Sequence, residues 1–110
     1  MDFKTLAENL GLEESEFFEM TDLFVEVSIS DLDRLKDGLR QGDSEAVVAA
    51  AHSIKGAAAN LGFNEIFEIT QAVEMNARDK NLDGADAAVE KTKEKLDQLV
   101  QYSAAYKSSD

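Results

Sequence analysis

Cysteine and proline are both absent from this sequence of 110 residues. Without cysteine the chain has no disulfide, no thiol nucleophile and no zinc-thiolate site, so nothing in it requires an oxidising compartment. Without proline, no helix is interrupted by a residue that lacks a backbone N–H. Glycine is also scarce, with six residues, while 44% of the residues are hydrophobic. These proportions predict long helices with few breaks.

Long apolar runs and positive charges are scarce as well. No stretch approaches the ~18 to 20 apolar residues that cross a bilayer, and the opening MDFKTLAENL has neither the basic nor the apolar region of a signal peptide. The 11 Lys and Arg residues against 23 Asp and Glu give a net charge of -12. Such a charge disfavours nucleic acid and anionic lipid as main partners. We therefore expect a soluble, cytoplasmic protein that binds proteins or small molecules.

Apolar residues recur at intervals of three and four along four long segments, as they do on one face of an α-helix. The stripe of segment 44–61 consists of Val47, Ala51, Ile54, Ala58 and Leu61. The stripe of segment 14–40 consists of Phe17, Met20, Phe24, Leu35 and Leu39, widened by Val25, Ile29 and Leu32. No stretch alternates as a strand would. The periodicity predicts an all-α protein.

Turn signals divide these segments. Gly42 and Asp43 supply a helix stop followed by an N-cap, Gly62 supplies another stop, and residues 81–84 make the last break. The predicted helices are residues 3–10, 14–40, 44–61, 64–80 and 84–106, and the polar tail 107–110 is expected to fray. Short connections favour antiparallel neighbours. We predict one domain over residues 1–110, an antiparallel up-down four-helix bundle with a short extra N-terminal helix.

The only histidine, His52, lies among small residues in the sequence AAAHSIKGAAANLG, residues 49–62. On a helix with about 100° per residue, His52 points roughly 140° away from the core stripe and therefore to solvent. Gly56, Ala59 and Ala49 fall on the same side. Glycine inside a helix costs about 1 kcal/mol relative to alanine, so Gly56 indicates that another surface approaches closely here.

Lys55 follows His52 by three residues and is the only Lys or Arg between Arg40 and Arg78. Its flexible ammonium can reach an anion held on the imidazole. A neutral imidazole is a nucleophile near pH 7, and a phosphoryl group on its nitrogen would be reactive yet transferable. Singly, an exposed histidine, a surface lysine and an alanine-rich helix usually have no special role. Their coincidence on one face favours a phosphoryl site.

The sequence His-Ser-Ile-Lys-Gly-Ala-Ala-Ala-Asn-Leu-Gly, residues 52–62, resembles the signature of histidine-containing phosphotransfer (HPt) domains. In that family a His, a Lys-Gly pair three and four residues later, small residues, and a Gly at the tenth position recur on the second long helix of a four-helix bundle. The chain length, the acidic balance and the number of helices are also similar. The resemblance extends over roughly residues 3–105.

The resemblance implies a role for each matching residue. His52 would be the phosphoacceptor, reacting through the ring nitrogen farther from the backbone; Lys55 would stabilise the phosphoryl oxygens; and Gly56 would leave the space above them clear. Glu74 stands where many members carry a Glu or Gln that accepts a hydrogen bond from the other ring nitrogen, which would fix the tautomer. It lies about 80° from the core stripe of its own helix. Gln71 is the alternative partner, and an ordinary flank carboxylate is the alternative role for Glu74.

The resemblance also implies partners. A response-regulator receiver domain would dock its phospho-aspartate over His52, and a second receiver would take the phosphoryl group onward, within a relay that includes a hybrid sensor histidine kinase. The Mg²⁺ ion would belong to the receiver, so no cofactor and no metal are expected on this chain. The sequence has no Gly-rich phosphate loop, so we expect no autonomous kinase activity. Since the bundle has its own core, we expect a monomer.

A second apolar stripe on segment 14–40 offers a candidate docking surface. It consists of Phe18, Val25, Ile29 and Leu32. We hypothesise that part of this stripe borders His52 and, with Ala49 and Ala59, receives a hydrophobic helix of the receiver. The alternative is that the short N-terminal helix covers the stripe through Phe3, Leu6 and Leu10.

Two other classes of function compete with phosphotransfer. A metal-binding bundle is disfavoured because one His, no Cys and no Glu-x-x-His pair leave no inward ligand set. A non-catalytic helical adaptor, which binds receiver or partner helices without phosphorylation, is the stronger alternative. The adaptor hypothesis predicts that His52→Gln leaves function intact.

Overall fold

The computed structural model describes residues 2–109 of the chain. Within this range the backbone forms α-helices and no strand, and the helices in chain order are α1 (Phe3–Asn9), α2 (Glu14–Gln41), α3 (Ser44–Leu61), α4 (Asn64–Arg78) and α5 (Ala85–Ser108). Met1 and Asp110, the two ends of the predicted domain, lie outside the described residues. The predicted all-α class is confirmed.

Local chemistry fixes the ends of α3, the helix that carries His52. Gly42 ends α2 with φ 66° and Gly62 ends α3 with φ 83°, a left-handed conformation that favours glycine. The side chain of Asp43 caps α3, because its Oδ1 accepts a hydrogen bond from the backbone N of Ala46 at 3.1 Å. The predicted range for this helix, 44–61, is therefore the observed one.

Two helix ends differ from the prediction by two residues, and three more, the ends of α1 and α2 and the start of α5, differ by one. Helix α4 ends at Arg78 and not at residue 80, because Lys80 adopts φ 61° and the chain turns there. Helix α5 runs to Ser108, two residues beyond the predicted end. Lys107 in its last turn pairs with Asp22 of α2, which holds this turn against the bundle.

The four long helices pack in a closed ring in which each contacts the next in chain order and α5 returns to α2. Neighbours run antiparallel: Ser53 of α3 bonds to Asp31 of α2, whereas Val47, earlier in α3, packs near Gly38, later in α2. Helix α1 packs on α2. The predicted four-helix bundle with a short extra N-terminal helix is confirmed.

The core lies between the long helices, and the predicted α3 stripe is buried along its whole length. The largest fully buried side chains are Phe17, Phe63, Leu35, Ile54, Ile66, Leu96 and Leu99. On α2 the prediction is wrong for Met20, which is 44% exposed, while Thr21 beside it is fully buried. The hydroxyl of Thr21 donates to the carbonyl of Phe17 at 2.9 Å, so the polar group is satisfied inside the core.

The second α2 stripe faces α5, not α3, which corrects the docking hypothesis. Phe18 is 4% exposed, stacks on Tyr106 of α5 with ring centroids 4.5 Å apart, and is also covered by Phe3 of α1. Val25 is 6% exposed. Neither residue is available at the surface, and for Phe18 the alternative of cover by the N-terminal helix is the observed one.

Ile29 is 48% exposed but lies on the same α5 side of the bundle. It follows Asp22 by seven residues, or two helical turns, and Asp22 accepts a hydrogen bond from Ser103 of α5 at 2.6 Å. Ile29 therefore does not border His52 as the sequence suggested.

Candidate functional site

The outer face of α3 presents His52 on a surface of small residues. The His52 side chain is 63% exposed, and Ala49, Gly56 and Ala59 on the same side are also exposed. Apart from its chain neighbours and the backbone of its own helix, a Cβ atom built on Gly56 would meet no atom within 4 Å. The fold itself therefore does not require glycine at this position, although a helix interior disfavours it.

Glu74 of α4 holds the inner edge of the imidazole. Its Oε2 lies 2.9 Å from Nδ1 of His52, and its side chain is 3% exposed. A carboxylate at this distance accepts a hydrogen bond from Nδ1–H, which leaves the lone pair on Nε2, the nitrogen that points away from α4. Of the two partners considered from the sequence, Glu74 and Gln71, Glu74 makes this contact.

Two cations also contact the same carboxylate. Nζ of Lys55 lies 2.6 Å from Oε1 of Glu74, the distance of a close ion pair. Arg78, one turn after Glu74 on α4, donates from its guanidinium to Oε2 at 2.6 Å. In a chain with net charge -12, three of the few basic side chains therefore meet at one buried carboxylate.

The charge of Glu74 depends on these contacts. Burial alone raises the pKa of a carboxyl group, but the contacts from Lys55, Arg78 and His52 outweigh burial and lower the pKa of Glu74 to about 2. At neutral pH the group is thus an anion that both orients the imidazole and neutralises any positive charge that develops on it.

On the other flank of α3, Asp31 of α2 ties the helix down beside the imidazole. Ser53 donates its hydroxyl to Oδ2 of Asp31 at 2.6 Å, and Arg34 donates to Oδ1 at 3.0 Å. The Asp31 side chain is 5% exposed. This network fixes α3 between α2 and α4, with His52 on the ridge between the two contacts.

Two features of this site were missed from the sequence. Arg78 follows Glu74 by four residues, a spacing at which opposite charges pair on a helix, and that signal could have revealed it. Asp31 and Ser53 are 22 residues apart on different helices, and no local sequence pattern predicts their contact.

Exposed apolar residues do occur on the α3 side of α2, at positions other than those predicted. Leu23 is 61% exposed and Val27 is 46% exposed. Val27 precedes Asp31 by one helical turn, and Leu23 precedes Val27 by another, so they continue the flank of α2 that meets α3. An apolar strip thus lies beside the small residues around His52.

Within residues 2–109, no helix is long and apolar enough to cross a membrane. The same part of the chain holds no cluster of three or more His, Asp or Glu side chains arranged to bind a metal ion.

Comparison with known proteins places this geometry in a family. The family model of the Hpt domain matches residues 19–102. The crystal structure of histidine-containing phosphotransfer protein B (HptB) from Pseudomonas aeruginosa PAO1 is similar to this chain, with a TM-score of 0.82 and 27% sequence identity, and the match covers 96% of this chain and 92% of that one. Among curated protein sequences, no significant match is found.

Proposed function

This chain belongs to the Hpt domain family and carries out histidine phosphotransfer in a phosphorelay, and we propose that His52 is the residue that carries the phosphoryl group. The observation that supports this assignment most strongly is the 2.9 Å contact between Nδ1 of His52 and buried Glu74. It leaves Nε2 exposed, with its lone pair directed to solvent.

The transfer step follows from this orientation. The Nε2 lone pair attacks the phosphorus of a receiver's aspartyl phosphate, an N–P bond forms, and the P–O bond to the aspartate breaks. The bonding pair leaves with the aspartate as a free carboxylate. The imidazole keeps its proton on Nδ1 and gains one positive charge, which the Glu74 anion stabilises. Transfer to the next receiver is the reverse of this step on a second aspartate.

Lys55 and Gly56 serve the phosphoryl group itself in this proposal. The Lys55 ammonium lies within one helical turn of His52 and can rotate from Glu74 toward the phosphoryl oxygens, whose charge it then offsets. Gly56 adds no side chain to the face on which the phosphoryl group and the receiver approach. The open space around its Cα supports this role.

We propose that receivers dock on the ridge of α3 and on the adjoining flank of α2. The small residues Ala49, Gly56 and Ala59 allow close approach around His52, and the exposed side chains of Leu23 and Val27 offer apolar contact beside them. Such a patch, apolar and close to the reacting atom, suits a partner that must dock briefly and leave.

Proteins of this family interact with receiver domains of two-component systems. For this chain we propose a receiver as donor, a second receiver as acceptor, and a hybrid sensor histidine kinase at the head of the relay. We also propose a cytoplasmic monomer without autonomous kinase activity. The Mg²⁺ ion needed for transfer is supplied by the receiver, and this chain uses no cofactor or metal of its own.

The test is phosphoryl transfer to the wild type and to His52→Gln from magnesium-loaded receivers already phosphorylated on aspartate, read by intact mass. We expect the wild type to gain one acid-labile phosphoryl group and His52→Gln to gain none. Equal phosphorylation of both proteins would overturn the assignment of His52. Binding of receivers by both proteins without phosphorylation of either would support the adaptor alternative.

A further inference from the structure

One buried carboxylate in this site contacts two cations and one neutral imidazole, and the three contacts are not equivalent. Oε2 of Glu74 receives His52 at 2.9 Å and Arg78 at 2.6 Å, whereas Oε1 faces Lys55 alone at 2.6 Å. Lys55 and His52 stand on α3, and Arg78 stands on the same helix as Glu74. The Lys55 ammonium stands on a flexible stem one turn from His52, so it is the cation that can turn to another anion held near the imidazole.

In the proposed transfer step, Lys55 pairs with two different anions in turn. Its single ammonium neutralises Glu74 in the unphosphorylated protein and the phosphoryl oxygens after transfer. When it turns to the phosphoryl group, Glu74 loses one of its positive partners in a place where its side chain is only 3% exposed. Removing one partner of a buried ion pair is strongly unfavourable unless another charge compensates.

We propose that Arg78 is a positioning residue that keeps Glu74 ionised while Lys55 moves to the phosphoryl group. This inference rests on the proposed function. The guanidinium is always protonated, and it reaches Glu74 from one turn away on α4, so motion of the Lys55 side chain does not displace it. With Arg78 in place, Glu74 continues to accept the Nδ1–H of His52 and to face the positive ring that transfer creates.

Arg78 should matter most when the Lys55 ammonium has left Glu74, and a substitution of Lys55 reproduces that state. Lys55→Gln removes the ammonium permanently, as rotation toward the phosphoryl group does transiently. We expect the carboxyl carbon of Glu74, followed by NMR as a function of pH, to titrate higher in Lys55→Gln/Arg78→Gln than in Lys55→Gln by about one pH unit or more, a tenfold change in ionisation. The shift caused by Arg78→Gln alone should be smaller.

Two further variants separate this effect from a general loss of charge or of fold. Arg78→Lys keeps a cation one turn from Glu74 and should restore most of the titration. Arg40→Gln also removes one surface guanidinium, but Arg40 pairs with exposed Asp37, so it should leave the titration of Glu74 unchanged. Equal titration of Glu74 in Lys55→Gln with and without Arg78 would overturn the inference, since the charge would then not depend on Arg78.

The rate of transfer gives a second, independent readout. In single-turnover transfer from a phosphorylated receiver, Arg78→Gln should be slower than the wild type by about tenfold, and Arg78→Lys should recover most of the rate. If the wild type is phosphorylated and Arg78→Gln reacts equally fast, the inference fails while the proposed function stands. If the wild type accepts no phosphoryl group from any receiver, the proposed function fails, and the role of Arg78 in transfer fails with it.

Discussion

Gly56 gives the sharpest prediction, because stability and function should change in opposite directions when it is replaced. Apart from the chain neighbours and the backbone of the same helix, no atom lies within 4 Å of a Cβ at this position, so Gly56→Ala meets no clash within the bundle. The substitution should then stabilise the folded chain by the full helix preference of alanine over glycine, about 1 kcal/mol. In a domain of this size such a change raises Tm by about 4 °C.

Transfer should respond in the opposite sense. A methyl group inserted into a closely packed contact costs about 1 to 3 kcal/mol. If the receiver and the phosphoryl group pass directly over Gly56, that cost corresponds to roughly 5- to 150-fold in the transfer rate. The larger side chain of Gly56→Gln should abolish transfer while the fold remains intact.

A matched control lies in the same chain. Gly38 is also inside a helix, but a Cβ there would lie 3.0 Å from Val47 Cγ2, 3.2 Å from Ala46 Cβ and 3.3 Å from the Asp43 carbonyl. Gly38→Ala should therefore lower stability, because overpacking offsets the gain in helix preference. Circular dichroism melting and single-turnover transfer from a phosphorylated receiver measure the two effects. Loss of stability in Gly56→Ala, or transfer at the wild-type rate in Gly56→Gln, would refute the reasoning.

Three more predictions follow from contacts in the structure. Folding lowers the pKa of Glu74 from 4.5 to about 2, so the ionised group contributes stability that is present above pH 4.5 and is lost as the pH falls toward 2. The free energy of unfolding of the wild type should exceed that of Glu74→Gln by about 3 kcal/mol at most, and urea titrations should show this difference shrinking over that pH range. A difference that stays constant with pH would contradict the prediction. Phe18→Ala should destabilise the chain by about 3 to 5 kcal/mol, because the ring is buried between α1 and α5; a stability change below about 1 kcal/mol would show that the packing is not as described. Val27→Asp should weaken receiver binding measured by calorimetry, whereas Ile29→Asp, on the α5 side, should not, and the reverse result would move the docking surface.

The sequence predicted α3 accurately because several independent signals agree there. The stripe from Val47 to Leu61 repeats without interruption, Asp43 caps the start, and Gly62 ends the helix. The orientation of His52 followed from the same periodicity, since a residue opposite a buried stripe must face solvent. The residues themselves pointed to phosphoryl chemistry at His52 and Lys55 and to close approach at Gly56, and the family resemblance added the role of Glu74 and the ring nitrogen that reacts.

The errors on α2 have a common physical cause. Periodicity shows that one side of a helix is apolar, but it does not show which neighbour covers that side. Phe18 and Val25 form a wide apolar face because α1 and α5 both pack on it, and the apolar width was mistaken for an exposed surface. Thr21 occupies the core in place of Met20 because its hydroxyl can bond the preceding turn of its own helix, a solution that a purely hydrophobic pattern does not reveal.

The site also shows how charge in an acidic chain can be concentrated by folding. Lys55 and Arg78 are 23 residues apart and belong to different helices, yet both reach Glu74. The spacing of Arg78 was visible in the sequence, but its importance depends on the burial of Glu74, which only the packing of α3 against α4 creates.

The most direct test of the account is to locate the phosphoryl group on the phosphorylated chain by NMR, using the coupling between phosphorus and the ring nitrogens of His52. We predict that phosphorus is bonded to Nε2 and that Nδ1 keeps its proton in a hydrogen bond to Glu74. A phosphoryl group on Nδ1, or on any residue other than His52, would contradict the proposed role of the Glu74 contact.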